Sequence, residues 1–119
     1  MLSFLYIYRA ECLRVIDGDT FVARIDMGFN TYTIQTVRLE GVDTPEITGP
    51  EKEKGLEVKE FMEEWLLPRP GLPKGLIVRT EKEDSFGRWL STVWAEEING
   101  KWCNLNDLLL TEELAVEYP

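Results

Sequence analysis

The first part of the chain contains three apolar segments in which hydrophobic and polar residues alternate, joined by sequences that favour tight turns. Alternation with a period of two is typical of β-strands. Asp17–Gly18 is a hairpin signal, and Gly28 with Asn30 forms a second turn signal. This pattern predicts a three-stranded meander whose first strand is irregular near Ala10–Glu11. The three predicted strands cover residues 4–16, 21–26 and 32–40.

A helix is predicted after the third strand, because apolar residues recur three and four positions apart while glutamates and lysines fill the other positions. Thr48 with Glu51 resembles a capping box, and Pro68 ends the helix. Residues 68–75 contain three prolines and two glycines, which predicts a loop. The apolar positions of the helix are Val58, Phe61, Met62, Trp65 and Leu66.

The remaining sequence predicts two more strands and a closing helix that Asn104 or Asn106 caps. Five strands, with one helix between the third and fourth and another at the end, fit a small five-stranded OB-fold barrel. The expected fold class is therefore α+β, mainly β, in a single domain over residues 1–119. The later predicted elements are a strand at 76–80, an acidic turn at 81–87, a strand at 88–95, a hairpin turn at 99–100 and a helix at 105–115.

Charge and composition exclude several classes of function. The formal net charge is −9, which argues against a broad basic surface for duplex nucleic acid but leaves room for a small cationic pocket. The sequence has no histidine, which removes histidine-based nucleophilic dyads and nearly all catalytic zinc sites. Cys12 and Cys103 are too few for a disulfide scaffold, and two free buried thiols are favoured over a single bridge.

The apolar N-terminal segment, Met1 to Tyr8, is short and has no preceding basic region. It therefore resembles neither a signal peptide nor a membrane span. We expect a cytoplasmic protein without membrane association, although secretion by another route is compatible with the sequence.

The segment from Val37 to Glu46 combines one arginine with two carboxylates at the end of a strand. Arg38 suits an anion, since a guanidinium forms paired hydrogen bonds with phosphate oxygens. Asp43 suits a hard cation, and Glu46 can accept a proton from water. The segment therefore suits metal-assisted chemistry on a phosphate. The alternative is structural, with Arg38 and Glu40 forming a solvated ion pair.

Three motifs in order give this sequence a resemblance to the staphylococcal nuclease-like family. The first is the Asp-Gly-Asp-Thr turn at residues 17–20. The second is Arg38 followed by Asp-Thr-Pro-Glu at residues 43–46. The third is Phe86–Gly87–Arg88. A later match combines Asn106 with Leu114–Ala115, so the resemblance covers almost the whole chain.

The resemblance implies a calcium-dependent nuclease that hydrolyses DNA or RNA and leaves 3′-phosphate ends. It implies that Arg38 and Arg88 hold the phosphate and that Glu46 is the general base. It further implies a monomer that acts on nucleic acid, and single-stranded DNA or RNA is the expected substrate. The implied calcium ligands are Asp19, Asp43 and the backbone carbonyl of Thr44, and the implied substrate contacts are Ser85, Phe86 and Tyr118.

Other interpretations of these residues remain open. Asp17 and Asp19 could simply build a turn, and Arg88 could pair with one of the acidic residues before it, Glu81, Glu83 or Asp84. Ser85 and Phe86 depart from the lysine and tyrosine typical of the family, which predicts a weaker grip on substrate. The alternative function is a non-catalytic OB-fold module that binds single-stranded nucleic acid or a protein partner.

Overall fold

A computed structural model describes residues 5–68 and 75–119. The architecture is a closed barrel of five strands with two helices packed on it, which confirms the predicted OB-fold-like α+β class. The barrel strands are β1 (Ile7–Asp17), β2 (Thr20–Asp26), β3 (Tyr32–Leu39), β5 (Leu76–Glu83) and β6 (Arg88–Glu96). The other elements are β4 (Val42–Asp43), a 3-10 turn (Gly49–Glu51), α1 (Lys52–Leu66), β7 (Trp102–Asn104), α2 (Leu105–Thr111) and β8 (Val116–Glu117).

The predicted meander of β1, β2 and β3 is confirmed. Both pairs are antiparallel, and the full length of β2 pairs with β3. The barrel continues from β1 to β5 and β6, and it closes where β3 and β6 run parallel to each other. The register of β1 against β2 shifts between Cys12 and Arg14, rather than near Ala10–Glu11 as the sequence predicted. The interior of the barrel is apolar, with Phe21, Ala23, Val37, Val78 and Val93 fully buried.

Helix α1 lies against β1 and buries the predicted apolar face, with Val58, Met62 and Leu66 in the core. It ends at Leu66, close to the predicted stop at Pro68. The capping-box prediction is wrong, because the Thr48 side chain makes no capping hydrogen bond and a 3-10 turn precedes the helix. Of the predicted loop at 68–75, residues 69–74 lie outside the described residues, as do residues 1–4 of the N-terminal segment.

Several elements near the end of the chain differ from the prediction. Strand β5 continues to Glu83, into the segment predicted as a turn, and the predicted turn at Asn99–Gly100 leads into a short strand, β7, that the sequence did not indicate. Helix α2 ends at Thr111 instead of residue 115. Strand β8 returns to pair with β4 in a small separate sheet, which was also not predicted.

Two asparagines fix the position of α2 by different means. Asn104 is the cap, because its side chain accepts a hydrogen bond from the backbone N–H of Asp107. Asn106 is buried and joins the helix to the closure of the barrel. It accepts from the N–H of Val93 at 3.0 Å and donates to the carbonyls of Glu40 and Ser91 at 2.9 and 3.0 Å.

Neither cysteine forms a disulfide, which confirms the preference for two free thiols, although Cys103 is only half-buried. Burial raises the pKa of the Cys12 thiol to about 12, with Glu63 and Glu11 adding to the effect. No helix in the described part of the chain is long and apolar enough to cross a membrane.

Replacing Asn106 by Ala should destabilise the protein more than replacing Asn104 by Ala. The first change removes three hydrogen bonds, of which the one from the Val93 N–H is buried and has no substitute, and we expect a loss of about 2–4 kcal/mol in the free energy of unfolding. The second removes one cap, which is worth about 1 kcal/mol. Urea denaturation of the two variants measures the difference. Equal losses would show that Asn106 does not hold the barrel closure.

Alkylation should distinguish the two thiols of the folded protein. The thiolate is the reactive form, so Cys12 should stay unmodified by iodoacetamide at mildly alkaline pH. Cys103 is more exposed and should react first, although burial and the nearby Glu97 and Asp107 raise its pKa as well. Peptide mass spectrometry locates the label, with the denatured protein as the control. Modification of Cys12 before unfolding would contradict this burial.

Candidate active site

The turn between β1 and β2 buries a carboxylate at one edge of the barrel. The backbone N–H of Asp19 donates to the Asp17 carboxylate at 3.1 Å, so Asp17 does shape the turn. The hydroxyl of Thr20 donates to Oδ1 of Asp19 at 2.9 Å. These local contacts leave Oδ2 of Asp19 facing the neighbouring strand and loop, where it meets Arg38 and Thr44.

Arg38 is only 8% exposed, although it is a cation on a strand of the barrel. Its Nη1 donates to the carbonyls of Leu39 at 2.9 Å and Val42 at 2.8 Å, and lies 3.2 Å from Oδ2 of Asp19. These partners explain how the guanidinium tolerates burial, since a buried charge is stable only when it is paired and hydrogen-bonded. Arg38 therefore does not form the solvated ion pair with Glu40 considered as the alternative.

Strand β4 and the following loop bring two more predicted residues to Arg38. Oδ1 of Asp43 lies 3.7 Å from Nη2 of Arg38, and the Asp43 side chain is half exposed. The backbone N–H of Thr44 donates to Oδ2 of Asp19 at 3.1 Å. The Asp43–Thr44 pair, more than twenty positions later in the chain than Asp19, is thus brought next to it, and the two aspartates share one guanidinium.

The two aspartates of the β1–β2 turn differ in their affinity for protons. Burial opposes the charge of Asp19, but hydrogen bonds from Asp17 and the Thr44 backbone and the charge of Arg38 outweigh it, so the pKa of Asp19 is lowered. Burial, together with the hydrogen bond and negative charge of Asp19, raises the pKa of Asp17 to about 6. Asp19 therefore loses its proton more readily than Asp17.

This donor set suits a hard divalent cation. Such ions prefer oxygen ligands, and Asp19 and Asp43 bring two carboxylates to one place beside the Thr44 backbone. A single guanidinium balances two carboxylates, so the cluster has an excess of negative charge. In the described part of the chain no group of three or more acidic or thiol side chains is arranged to hold a metal. An ion here would thus need the Thr44 carbonyl and water as further ligands.

Glu46 lies on the exposed loop that leads from β4 towards α1. Its backbone N–H donates to the carboxylate of Glu51 at 3.3 Å, which ties the loop to the 3-10 turn before the helix. No hydrogen bond or ion pair among the described residues engages the Glu46 carboxylate itself. Its side chain is therefore accessible to solvent, two residues after Thr44 in the chain.

Arg88 reaches the same face of the barrel as Arg38. In the parallel ladder, Arg88 lies opposite Thr36, and Arg38 follows two residues later, so the two arginines are offset by about 6–7 Å along the strands. Nε of Arg88 donates to Oδ2 of Asp84 at 2.8 Å. Of the three acidic partners that the sequence left open, the structure thus selects Asp84.

Asp84 also builds the turn that presents Arg88. Its Oδ1 accepts from the backbone N–H groups of Phe86 and Arg88, both at 2.9 Å. Although slight desolvation opposes the charge, these hydrogen bonds and the Arg88 guanidinium lower the pKa of Asp84. Asp84 is therefore ionised and holds Arg88 in place, a role that sequence reasoning named only as an alternative.

The predicted substrate contacts lie at both ends of the arginine pair. Phe86 is 80% exposed, and its ring centre lies 5.2 Å from the guanidinium carbon of Arg88. Tyr118 is more than half exposed, and its ring centre lies 5.8 Å from the guanidinium carbon of Arg38. The pairing of β8 with β4 positions Tyr118, whose N–H donates to the Gly41 carbonyl at 3.0 Å. Ser85 is exposed next to Phe86 and contributes no charge.

Two glycines that sequence reasoning missed set the position of the site. A Cβ on Gly18 would lie 2.6 Å from Val58 of α1 and 2.9 Å from the Thr44 hydroxyl. A Cβ on Gly55 would overlap the backbone carbonyl of Glu46. The helix can therefore approach the loop of Thr44 and Glu46 only without these side chains. For Gly55 the sequence did contain a signal, because a glycine inside a predicted helix is unfavourable and indicates a packing or functional reason.

Fold and site together define a closed β-barrel with two arginines and a cluster of carboxylates on one face. The model of the staphylococcal nuclease homologue family matches residues 36–119, and the chain belongs to this family. The matched region includes Arg38, Asp43 and Arg88, while the turn with Asp19 precedes it and is brought to the site by the fold. No curated protein matches the chain.

Replacing Gly55 by Ala should destabilise the protein, although Ala is intrinsically better than Gly in a helix. The added methyl group would displace the Glu46 backbone, and overpacking of this kind costs about 1–3 kcal/mol. The free energy of unfolding from urea titration measures this effect. Glu57→Ala, at an exposed position of the same helix, is the control and should change it little. A gain in stability for Gly55→Ala would mean that the loop is not held against α1.

Proposed function

We propose that the protein is a calcium-dependent nuclease that hydrolyses phosphodiester bonds of DNA or RNA and leaves 3′-phosphate ends. The observation that carries this proposal is the buried Arg38 guanidinium, held beside Asp19 and Asp43 in one cluster. Membership of the staphylococcal nuclease homologue family supports the same conclusion. The acidic net charge favours a single strand gripped locally over a duplex bound along a broad basic surface.

The two arginines hold the phosphate in this proposal. Attack on a phosphodiester increases the negative charge on the oxygens that do not leave, and guanidinium groups stabilise that charge with short paired hydrogen bonds. Arg38 and Arg88 lie on one barrel face and are fixed by carboxylates and carbonyls before substrate arrives. Fixed donors avoid reorganisation during the reaction, which is the main source of such stabilisation.

Glu46 acts as the general base. Its exposed carboxylate accepts a proton from a water molecule, and the water oxygen forms a bond to phosphorus as the bond from phosphorus to the 5′-oxygen breaks. The 5′-oxygen leaves as a hydroxyl group by taking a proton from solvent water, Glu46 returns its proton to solvent, and the phosphate remains on the 3′-oxygen. Asp19, Asp43 and the Thr44 carbonyl would hold calcium, which when bound supplies positive charge next to the phosphate.

The second candidate function is a non-catalytic module that binds single-stranded nucleic acid or a protein partner. The ion pair between Arg88 and Asp84 favours it, since the guanidinium already has a carboxylate partner at 2.8 Å. In this alternative the arginines shape the surface, and Glu46 has no role. The two functions differ in one outcome, because only the nuclease shortens its ligand.

Cleavage of labelled single-stranded DNA should require calcium, stop with chelator and recover poorly with magnesium. Magnesium demands stricter octahedral geometry than a site with two carboxylates and one carbonyl offers. Arg88→Lys should lower kcat by about 10²–10³, because lysine cannot form the paired hydrogen bonds. The matched control is Arg24→Lys on β2, which alters an exposed pair with Glu11 and should keep full activity.

Two results would contradict different parts of the nuclease proposal. One is binding of the strand without cleavage under all ion conditions, which would favour the module. The other is equal activity of Arg88→Lys and the wild-type protein, which would remove Arg88 from the phosphate grip. Analysis of the products by treatment with a 3′-phosphatase tests the expected end chemistry.

A further inference from the structure

One end of the barrel contains a pocket of about 400 Å³ that the proposed mechanism does not use. We call it the mouth pocket. It lies among residues of all five barrel strands and of the chain just before β1. Its walls are mainly aromatic and aliphatic, and it has the size range typical of small-ligand sites. The residues that line it include Tyr6, Tyr8, Met27, Thr33, Gln35 and Trp89.

A hydrogen-bonded chain of polar groups runs through the mouth pocket. The indole N–H of Trp89 donates to Oε1 of Gln35 at 3.1 Å, and Nε2 of Gln35 donates to the Thr33 hydroxyl at 2.9 Å. These contacts fix the Trp89 ring and the Gln35 amide relative to each other. Among the described residues, no charged side chain lines the pocket. The pocket therefore suits a neutral, flat ligand with an apolar face and a polar edge.

Tyr6 stands at the rim of the mouth pocket in an unusual backbone conformation. Its φ is +62°, a region that non-glycine residues rarely occupy, and its carbonyl accepts from the N–H of Thr80 at 3.1 Å. The side chain is 63% exposed, so the strained backbone does not serve to bury the ring. Local strain of this kind concentrates at sites that bind ligands.

The mouth pocket adjoins the two arginines through the closure of the barrel. Trp89 directly follows Arg88 in β6, and it lies opposite Val37, which directly precedes Arg38 in β3. Side chains alternate across a strand, so the arginines face outward where Trp89 and Val37 face the pocket. β6 begins at Arg88, so this arginine stands near the edge of the barrel wall. A strand that passes Arg88 can reach the pocket over this edge.

We propose that the mouth pocket binds an unpaired nucleobase of the strand whose phosphate the arginines hold. A nucleobase is neutral and flat, stacks on aromatic rings such as Tyr6 and Trp89, and offers hydrogen-bonding edges to Gln35 and Thr33. A base inside the barrel cannot be paired, so the pocket selects single strands. This assignment rests on the proposed function for the phosphate grip, but binding of a base alone does not require cleavage.

Titration with deoxyadenosine, followed by two-dimensional NMR of the ¹⁵N-labelled protein, tests the pocket without the phosphate. The indole N–H resonance of Trp89, identified with Trp89→Phe, should shift with saturation, and deoxyribose alone should not shift it. Tyr6→Ala should weaken binding at least about fivefold, since stacking contributes this much per base. Tyr6→Phe should keep it. The matched control is Tyr32→Ala, a half-exposed tyrosine outside the pocket.

A second measurement connects the pocket to the strand. Fluorescence anisotropy in the presence of chelator compares an intact oligonucleotide with an abasic strand of equal length and charge. The wild-type protein should prefer the strand with bases, and Tyr6→Ala should lose this preference while its affinity for the abasic strand stays the same. Shifts confined to residues outside the pocket, or equal losses on both strands, would overturn the proposal.

The two proposals fail in different ways. Binding of deoxyadenosine that depends on Tyr6, together with no cleavage in calcium, would reject the nuclease and support the pocket. Cleavage that is sensitive to Arg88→Lys, without any response of Trp89 to deoxyadenosine, would support the nuclease and overturn the pocket. A response of Trp89 that is equal for deoxyadenosine and a small aliphatic alcohol would also overturn it, because the pocket would then lack preference for a base.

Discussion

The burial of one guanidinium is the constraint on which the rest of the site depends. Arg38 is permanently charged, and a buried charge without partners would cost several kcal/mol. Asp19 and Asp43 together with the carbonyls of Leu39 and Val42 satisfy it, and they come from the β1–β2 turn, β3 and β4. Because the same contacts hold the elements together and aim the guanidinium, stability and the proposed phosphate recognition cannot be altered independently at this position.

The closure of the barrel extends this constraint to the second arginine. Parallel pairing of β3 with β6 sets the offset between Arg38 and Arg88, and Asn106 holds the carbonyls of Glu40 and Ser91 where the two strands meet α2. The site is thus built by contacts between segments far apart in sequence. Val58 of α1 packs close to Gly18, and the Glu46 backbone packs close to Gly55 of the helix, which adds the loop of Glu46 to the same frame.

Sequence reasoning succeeded where a pattern repeats and failed where contacts are non-local. The barrel strands and α1 were predictable because alternation and helical spacing extend over many residues. Strands β4, β7 and β8 have two or three residues each, too few for any period. The motifs identified Asp19, Asp43 and Arg88 as candidates and left Asp84 as one of three possible partners of Arg88, a choice that depends on the shape of one turn. The need for glycine at position 55 was missed, because it depends on a tertiary contact with the Glu46 backbone that one sequence does not reveal.

The pairing of arginines with carboxylates determines the charge that a nucleic-acid phosphate would meet at this acidic protein. Arg38 is shared by Asp19 and Asp43, and Arg88 is paired with Asp84, so neither arginine offers an uncompensated positive charge. A phosphate that approaches this face would therefore find the oriented N–H donors of two guanidinium groups. Three carboxylates surround these two groups, so the net local charge is negative. Attraction at long range cannot come from such a surface. In the proposed nuclease, the excess carboxylates would recruit a cation, whose charge would make the arginines available to the phosphate.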